Sequence, residues 1–290
     1  MQLRVPFMEP SHFSFDPFEA KFLDFDSRPD FPRLLPRSIT NMDSLKDLEQ
    51  AISSVSQEST ETDKEVLISI DVEAAAIGRT HSYSDRKPCW VAVVDREGKE
   101  LLNLVIQVPN MVSPLTKVTG LTREDIEKGI PLDEALKRVH SLLIGLGNNV
   151  TLVGQRIDGD ISWMQLEKGV HYAKVVDLAD EFRTYNERFN NYTYYSLAKE
   201  VYGVFGHLMH DDRNHNPLQD AQFSMKLYVE CVSNPQKLKL AKSLLQQMLY
   251  RKEFPRVLMS GNQERNIDGC CGWGFDPKKC FCGAPTLKGT

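Results

Sequence analysis

No stretch of this 290-residue chain approaches the roughly 18 apolar residues of a bilayer-crossing helix, so a membrane role of that kind is excluded. An excess of positive charge is missing as well. Lys and Arg number 35 against 40 Asp and Glu, for a net charge of −5, which rules out a coat that holds polyanions by bulk charge. It does not rule out an acidic cluster that works through bound cations. No internal repeat is present, and cysteine is scarce in the body of the chain. Of six cysteines, only Cys89 and Cys231 precede the last 21 residues, and both read as core thiols rather than a disulfide framework. The first residues, Met1-Gln-Leu-Arg-Val-Pro-Phe, lack a long apolar core and an Arg/Ser-rich amphipathic pattern. The expected location is therefore nuclear or cytoplasmic, not secreted.

What the chain does have is sorted along its length. Residues 1–64 read as an extension and linker, partly disordered: Phe13, Phe15, Phe18, Phe22, Phe25 and Phe31 alternate with Asp and Pro in no regular period. A short amphipathic helix over Asp43–Val55 and a Ser/Thr/Glu-rich linker over Ser56–Lys64 follow. The extension is either a tail or a docking segment for a protein partner. The folded region is expected at 65–232, an amphipathic helix and linker at 233–268, and a Cys-rich tail at 269–290.

Within 65–232, β-branched runs predict strands over Val66–Ile70, Pro88–Val94, Leu101–Val108, Val150–Val153 and Lys174–Asp177. Asp95-Arg-Glu-Gly98-Lys joins the second and third as a hairpin turn. Thr122-Arg-Glu-Asp125 has the form of a helix N-cap. Helices are predicted from Pro131 through Leu136, Val139, Leu142, Leu143 and Leu146, and over Asp160–Lys168, Tyr194–Tyr202 (ended by Gly203), Leu218–Cys231 and Pro235–Arg251. Three antiparallel strands followed by alternating helix and strand predict a mixed α/β sheet flanked by helices.

The residues that could carry chemistry sit at the edges of these elements. Asp71 and Glu73 are two apart at a strand end, so their side chains share a face, where like charges are costly unless protonated, paired or metal-bound. Asp160 opens a helix after the fourth strand, with Asp158 a competitor for the same role. Asp220 lies in the first turn of an apolar helix, and His215 stands five residues before it. Taken singly, each has an ordinary reading: a solvated strand end, a capping Asp, a loop His. Taken together, the carboxylates and the histidine suit hard divalent cations and phosphodiester cleavage.

In that order and spacing the chain resembles the DEDDh branch of the DnaQ-like 3′–5′ exonucleases over about residues 65 to 232, and within them a eukaryotic RNA-exonuclease subfamily. Asp71-Val-Glu73 carries the first motif, Leu152-Val-Gly-Gln-Arg-Ile-Asp-Gly-Asp160 the second and His215-x4-Asp220 the third. Val118-Thr-Gly120-Leu and Leu218-Gln-Asp220-Ala-Gln-Phe-Ser-Met225 add support. The chain departs from the subfamily pattern at Val72, Ala74 and Gln155, where Cys, Met and His are usual. The resemblance implies an RNase H-like five-stranded α/β fold with two Mg²⁺ or Mn²⁺ ions held by Asp71, Glu73, Asp160 and Asp220. It implies His215 as general base, and Ala74, Thr119, Gly120 and Leu121 around the terminal nucleotide of a single-stranded RNA 3′ end. DNA as substrate is the alternative with the same residues. A binding module without activity, recruiting partners through its two ends, is the non-enzymatic one. Cys270, Cys271, Cys280 and Cys282 allow a structural Zn²⁺ site, a reduced tail or disulfides.

Overall fold

A computed structural model of the chain describes residues 65–78, 82–209, 215–255 and 258. The Phe-rich extension, its helix candidate and the four tail cysteines lie outside the described residues. The main sheet has five strands: β1 (Val66–Ala76), β2 (Arg86–Val94), β3 (Glu100–Val105), β4 (Val150–Gly154) and β5 (Lys174–Asp177), in spatial order β3-β2-β1-β4-β5. β1 pairs antiparallel with β2, and β2 with β3, whereas β4 and β5 run parallel to β1. The sheet is thus mixed, as the pattern predicts.

Short helices α1 (Thr116–Thr119) and α2 (Arg123–Glu127) lead into α3 (Leu132–Gly145), and α4 (Asp158–Trp163) follows β4. Thr122 caps α2 in a full capping box with Asp125. After β5 come α5 (Leu178–Phe182), a two-stranded hairpin β6 (Thr184–Asn186) and β7 (Asn191–Thr193), and then α6 (Leu197–Phe205), α7 (Pro217–Leu227) and α8 (Pro235–Arg251).

Two apolar cores cover the two faces of the sheet. On one face Ile68, Ile70 and Val72 of β1 pack with Ala135, Val139, Leu142 and Leu143 of α3. On the other, Leu67, Val94 and Val153 pack with Ala221 and Met225 of α7 and with Val201 and Leu245. Burying each such aliphatic side chain contributes about 1.5–3 kcal/mol.

The structure moves several boundaries. β1 continues six residues past Ile70, because β2 pairs with it as far as Ala76. Asp71 and Glu73 therefore lie inside a strand rather than at its exit. The register skips at Cys89, between Glu73↔Trp90 and Ala74↔Pro88, so a bulge falls beside the acidic pair. β3 stops at Val105, and Ile106 bridges Ile130 instead. α4 begins at Asp158, which puts Asp160 third in the helix. α6 spans Leu197–Phe205 and ends at Gly206. Gly203 lies within it, and a Cβ there would come 2.6 Å from Leu245 Cδ2 of α8. After Leu227 the helix widens to an i+5 bond, from Ser233 N–H to the Tyr228 carbonyl, 2.9 Å.

Candidate active site

Parallel strands deliver their C-terminal ends to one edge of the sheet, where connections turn outward and side chains meet. β4 pairs with β1 only from Val66↔Val150 to Ser69↔Val153; beyond that point the two strands separate. Asp160 occupies this region. It is 6% exposed, and its carboxylate accepts a hydrogen bond from the backbone N–H of Val72, between Asp71 and Glu73. Gly154 permits the short path from β4 to α4, since a Cβ there would stand 2.9 Å from Ile157 Cδ1.

Asp71 and Glu73 project from the sheet face that α7 covers. Asn216 caps α7 through its side chain, accepting from Leu218 and Gln219 N–H, and Pro217 occupies the first turn. These features set the helix start, so Asp220 is buried over the strands while His215 remains just outside the helix. His215 Nδ1 lies 3.1 Å from Asp220 Oδ2 and 3.8 Å from Glu73 Oε1. One donor atom from each of Glu73, His215 and Asp220 lies within 4.8 Å of the other two.

The electrostatics place the four carboxylates together. Burial pushes the Asp71 carboxyl well above the usual range, and the charges of Asp220, Asp160 and Glu73 push it further. Asp160 is raised as well, by burial first and by Asp177 and Asp220, against hydrogen bonds from Val72 and its own backbone N–H. Asp158, the sequence competitor, is exposed at the start of α4. The side chains grade from Asp220, 5% exposed, through Glu73, 14%, to His215, 35%. The histidine is thus the group most open to solvent. Four converging carboxylates, two of them pushed toward the neutral acid, form an oxygen donor set that fits hard divalent cations.

The four residues expected around a terminal nucleotide are placed unevenly. The backbone N–H of His215 donates to the Val118 carbonyl, which ties the α1 turn to the histidine. Gly120 ends α1 with φ 71°, a left-handed conformation suited to glycine, and is partly exposed, as is Ala74. Thr119 and Leu121 turn inward. Thr119 Oγ1 donates to the Pro114 carbonyl and accepts from Leu121 N–H, and Leu121 packs with Ala75, Trp90 and Ile126. A side chain so packed braces the turn and offers little surface to a terminal nucleotide.

Sequence reasoning assigned no role to a second polar layer behind Asp160. Asp177 ends β5 and accepts hydrogen bonds from Arg156 and Ala179 N–H, and its charge bears on Asp160. Glu200 is fully buried on α6, where Gln155 Nε2 donates to its Oε1 at 3.3 Å and also to the Tyr195 carbonyl at 2.9 Å. The available signal for Glu200 was its place between Leu197 and Val201 on an apolar helix face. A cavity of about 560 Å³ lined by Ile77, Lys87, Gln107, Val108, Asn110 and Asp133, among others, includes none of the five acidic and histidine residues.

No protein-family model and no curated protein sequence matches this chain. Solved structures do. The apo Pan2 pseudoubiquitin hydrolase–RNA exonuclease module of Saccharomyces cerevisiae aligns with a TM-score of 0.53 at 15% identity, over 68% of this chain and 33% of that one. The same module in complex with AACCAA RNA gives 0.52 at 16%, over 68% and 34%. A further structure of the yeast module, described as a pseudoubiquitin-hydrolase–RNase module, gives 0.52 at 17%, over 86% and 39%. The chain has an RNase H-like fold. It spans about a third of the length of the Pan2 module, and at these identities the likeness is one of fold.

Proposed function

We propose that this chain is a metal-dependent 3′–5′ exonuclease of the DEDDh type, acting on single-stranded nucleic acid and preferring RNA. The observation that carries the reading is the convergence of Asp71, Glu73, Asp160 and Asp220, with His215 at the solvent side and bonded to Asp220. The fold shared with a module named for its RNA exonuclease supports the choice of RNA. Divalent ions bound by the four carboxylates would neutralise their charge and stabilise the attacking and leaving oxygens of an in-line displacement.

The chain's own groups supply the rest. A carboxylate only accepts hydrogen bonds, so Nδ1 of a neutral His215 donates to Asp220 Oδ2 and the lone pair resides on Nε2. Nε2 is then the base that takes the proton of the attacking water. The water oxygen bonds to the terminal phosphorus, the bond to the 3′ oxygen of the preceding nucleotide breaks, and that oxygen is reprotonated. The products are a 5′-mononucleotide and a strand one unit shorter. Glu73 Oε1 lies 3.8 Å from the same ring nitrogen.

The test is incubation of the protein with 5′-labelled single-stranded RNA and DNA in Mg²⁺, Mn²⁺ or EDTA. The expected result is a ladder shortening from the 3′ end, faster on RNA, and absent in EDTA and in Asp71→Ala. A faster DNA ladder would reverse the preference. No cleavage of either polymer with either metal would sink the reading.

A further inference from the structure

Hairpin β6–β7 presents an unusual surface. Its register pairs Tyr185 with Tyr192, and alternation along the strands sets Arg183 and Tyr194 on the same face. All four are in contact: Tyr185 and Tyr192 meet edge to face at 5.4 Å, the Arg183 guanidinium stands 4.6 Å over the Tyr192 ring, and Arg183 Nη1 donates to Tyr194 Oη at 3.3 Å. The reverse face is turned inward, where Thr184 is buried and hydrogen-bonded to Tyr195 Oη. The aromatic face is turned out. Tyr185, Tyr192 and Tyr194 are 45–50% exposed, and Phe189 in the turn, beside the Arg188 guanidinium, is 63% exposed.

Large aromatic side chains are ordinarily buried for the stability they give, and four held open on one short hairpin form a surface for a ligand. The position of the hairpin indicates which ligand. It follows β5 and α5, beyond the C-terminal end of the strand that pairs with β4. The segment just after β7 is fastened beside the site by Gln155, which stands five residues before Asp160 and donates through its side-chain Nε2 to the Tyr195 carbonyl. Helix α8 ties down α5 and the hairpin, with Lys242 Nζ donating to the Glu181 carbonyl of α5 and Gln246 Nε2 to the Tyr185 carbonyl of β6. Exposed aromatic rings stack unpaired bases without requiring a particular sequence, and the Arg188 guanidinium in the turn can meet their phosphates, whereas that of Arg183 is paired with Asp180 Oδ1 at 2.7 Å.

We propose that this face is the platform on which the body of a single-stranded nucleic acid lies while its 3′ end occupies the carboxylate site. The proposal rests on the exonuclease reading above, and it assigns a second, non-catalytic contact to the substrate. Strands long enough to reach from the site to the hairpin gain affinity from the rings; a dinucleotide gains none.

The test measures binding of the 290-residue chain to labelled single strands of about twenty nucleotides, a length above the 4–16 typical of one small single-strand-binding domain, and to dinucleotides. Ca²⁺ replaces Mg²⁺ to limit cleavage during titration. The combined change Tyr185→Ala, Tyr192→Ala and Tyr194→Ala is expected to weaken binding of the long strand about tenfold or more, while the cleavage rate on the dinucleotide stays at the wild-type value. Arg188→Glu, at an exposed turn position that carries no fold contact of the core, is expected to weaken the long strand severalfold and to flatten its salt dependence.

Unchanged long-strand affinity in both variants overturns the proposal, and is also what a protein-binding role for this face predicts. Wild-type protein that binds no single strand overturns it too. Failure of the exonuclease reading looks different: no strand shortens in Mg²⁺, whereas loss of long-strand binding in the variants would still uphold the platform.

Discussion

β1 belongs to two environments that alternate residue by residue. Ile68, Ile70 and Val72 face α3 in a core that is apolar throughout. Leu67, Ser69, Asp71 and Glu73 face the other way, beginning in apolar packing and ending among carboxylates under α7. α7 makes the same change in reverse, from Asp220 in its first turn to Ala221, Met225 and Leu227 further in. One strand thus holds a charged cluster in place with the stability gained on its other side. The dry face can give up function without consequence but not volume. On the acidic face, beyond the apolar packing of Leu67, it is charge that cannot be lost.

A large effect on turnover is expected on the acidic face. His215→Ala should lower the turnover rate by about 10²–10⁴, the range typical of a positioned general base, with little change in melting temperature. Single-turnover kinetics on a 3′-labelled strand measures it, and a loss below tenfold would remove His215 from the role of base. The matching change on the dry face is Leu142→Ala. It should cost about 2–5 kcal/mol in denaturant unfolding and leave the turnover rate of the folded fraction near wild type. A large rate loss there would mean that the two faces are coupled through the strand.

How much of this was legible in the sequence differs between the faces. The strands and α3 show in the chain because β-branched runs and the spacing of Val139, Leu142 and Leu143 record burial directly. Asp71, Glu73, Asp160, His215 and Asp220 show because charged residues interrupt those same patterns at fixed spacings, and the geometry brings all five together. The continuation of β1 through Ala74, Ala75 and Ala76 does not show, since alanine has no strand preference and it is β2 that holds it extended. The inward turn of Leu121 depends on Trp90 and Ala75, 31 and 46 positions away, which no local pattern contains. The β6–β7 hairpin went unread because its apolar residues are exposed tyrosines. Arg-Thr-Tyr-Asn and Asn-Tyr-Thr-Tyr do carry a period of two, and Asn190, at φ 50°, supplies the turn. Gly203 misled because a helical glycine commonly marks an end, whereas here it makes room for Leu245.

A smaller effect, opposite in sign, tests whether the acidic face is strained. Burial, then Asp220, Asp160 and Glu73, raise the Asp71 carboxyl above its ordinary value of 3.8. A group raised in the folded state binds its proton more tightly there than in the unfolded chain. Its contribution to stability is therefore full below 3.8 and lost as pH rises through the higher folded value. At neutral pH and without metal, Asp71→Asn should raise the melting temperature by a few degrees, about the response to 1 kcal/mol in a domain of this size, while abolishing cleavage. Adding Mg²⁺ should raise the melting temperature of the wild type and much less that of the variant. A variant that melts below wild type in EDTA would show that Asp71 makes contacts worth more than the repulsion it suffers.

The smallest effect separates repulsion from burial alone. Glu200 is fully buried on α6, and burial raises it well above the ordinary carboxyl value before Asp177 adds to the shift; Gln155 and Arg156 act the other way. Its Oε1 receives the Gln155 amide, while Glu200 Oε2 and Gln155 Oε1 are both buried without a hydrogen-bond donor. A proton on Oε2, or the NH₂ of a glutamine in its place, supplies the donor this pair lacks. Glu200 thus stabilises the fold in its neutral form at low pH, and that contribution falls as pH rises through its raised folded value. Glu200→Gln should leave stability near wild type in acid, raise it modestly above neutrality, and flatten that part of the pH profile. Cleavage should persist, because Glu200 lies behind Asp160 and outside the cluster that acts on Asp71. Melting curves of both proteins across pH, set beside those of Asp71→Asn with and without Mg²⁺, separate a carboxylate kept for chemistry from one kept for packing. The metal should erase the difference at Asp71 and leave the one at Glu200 untouched.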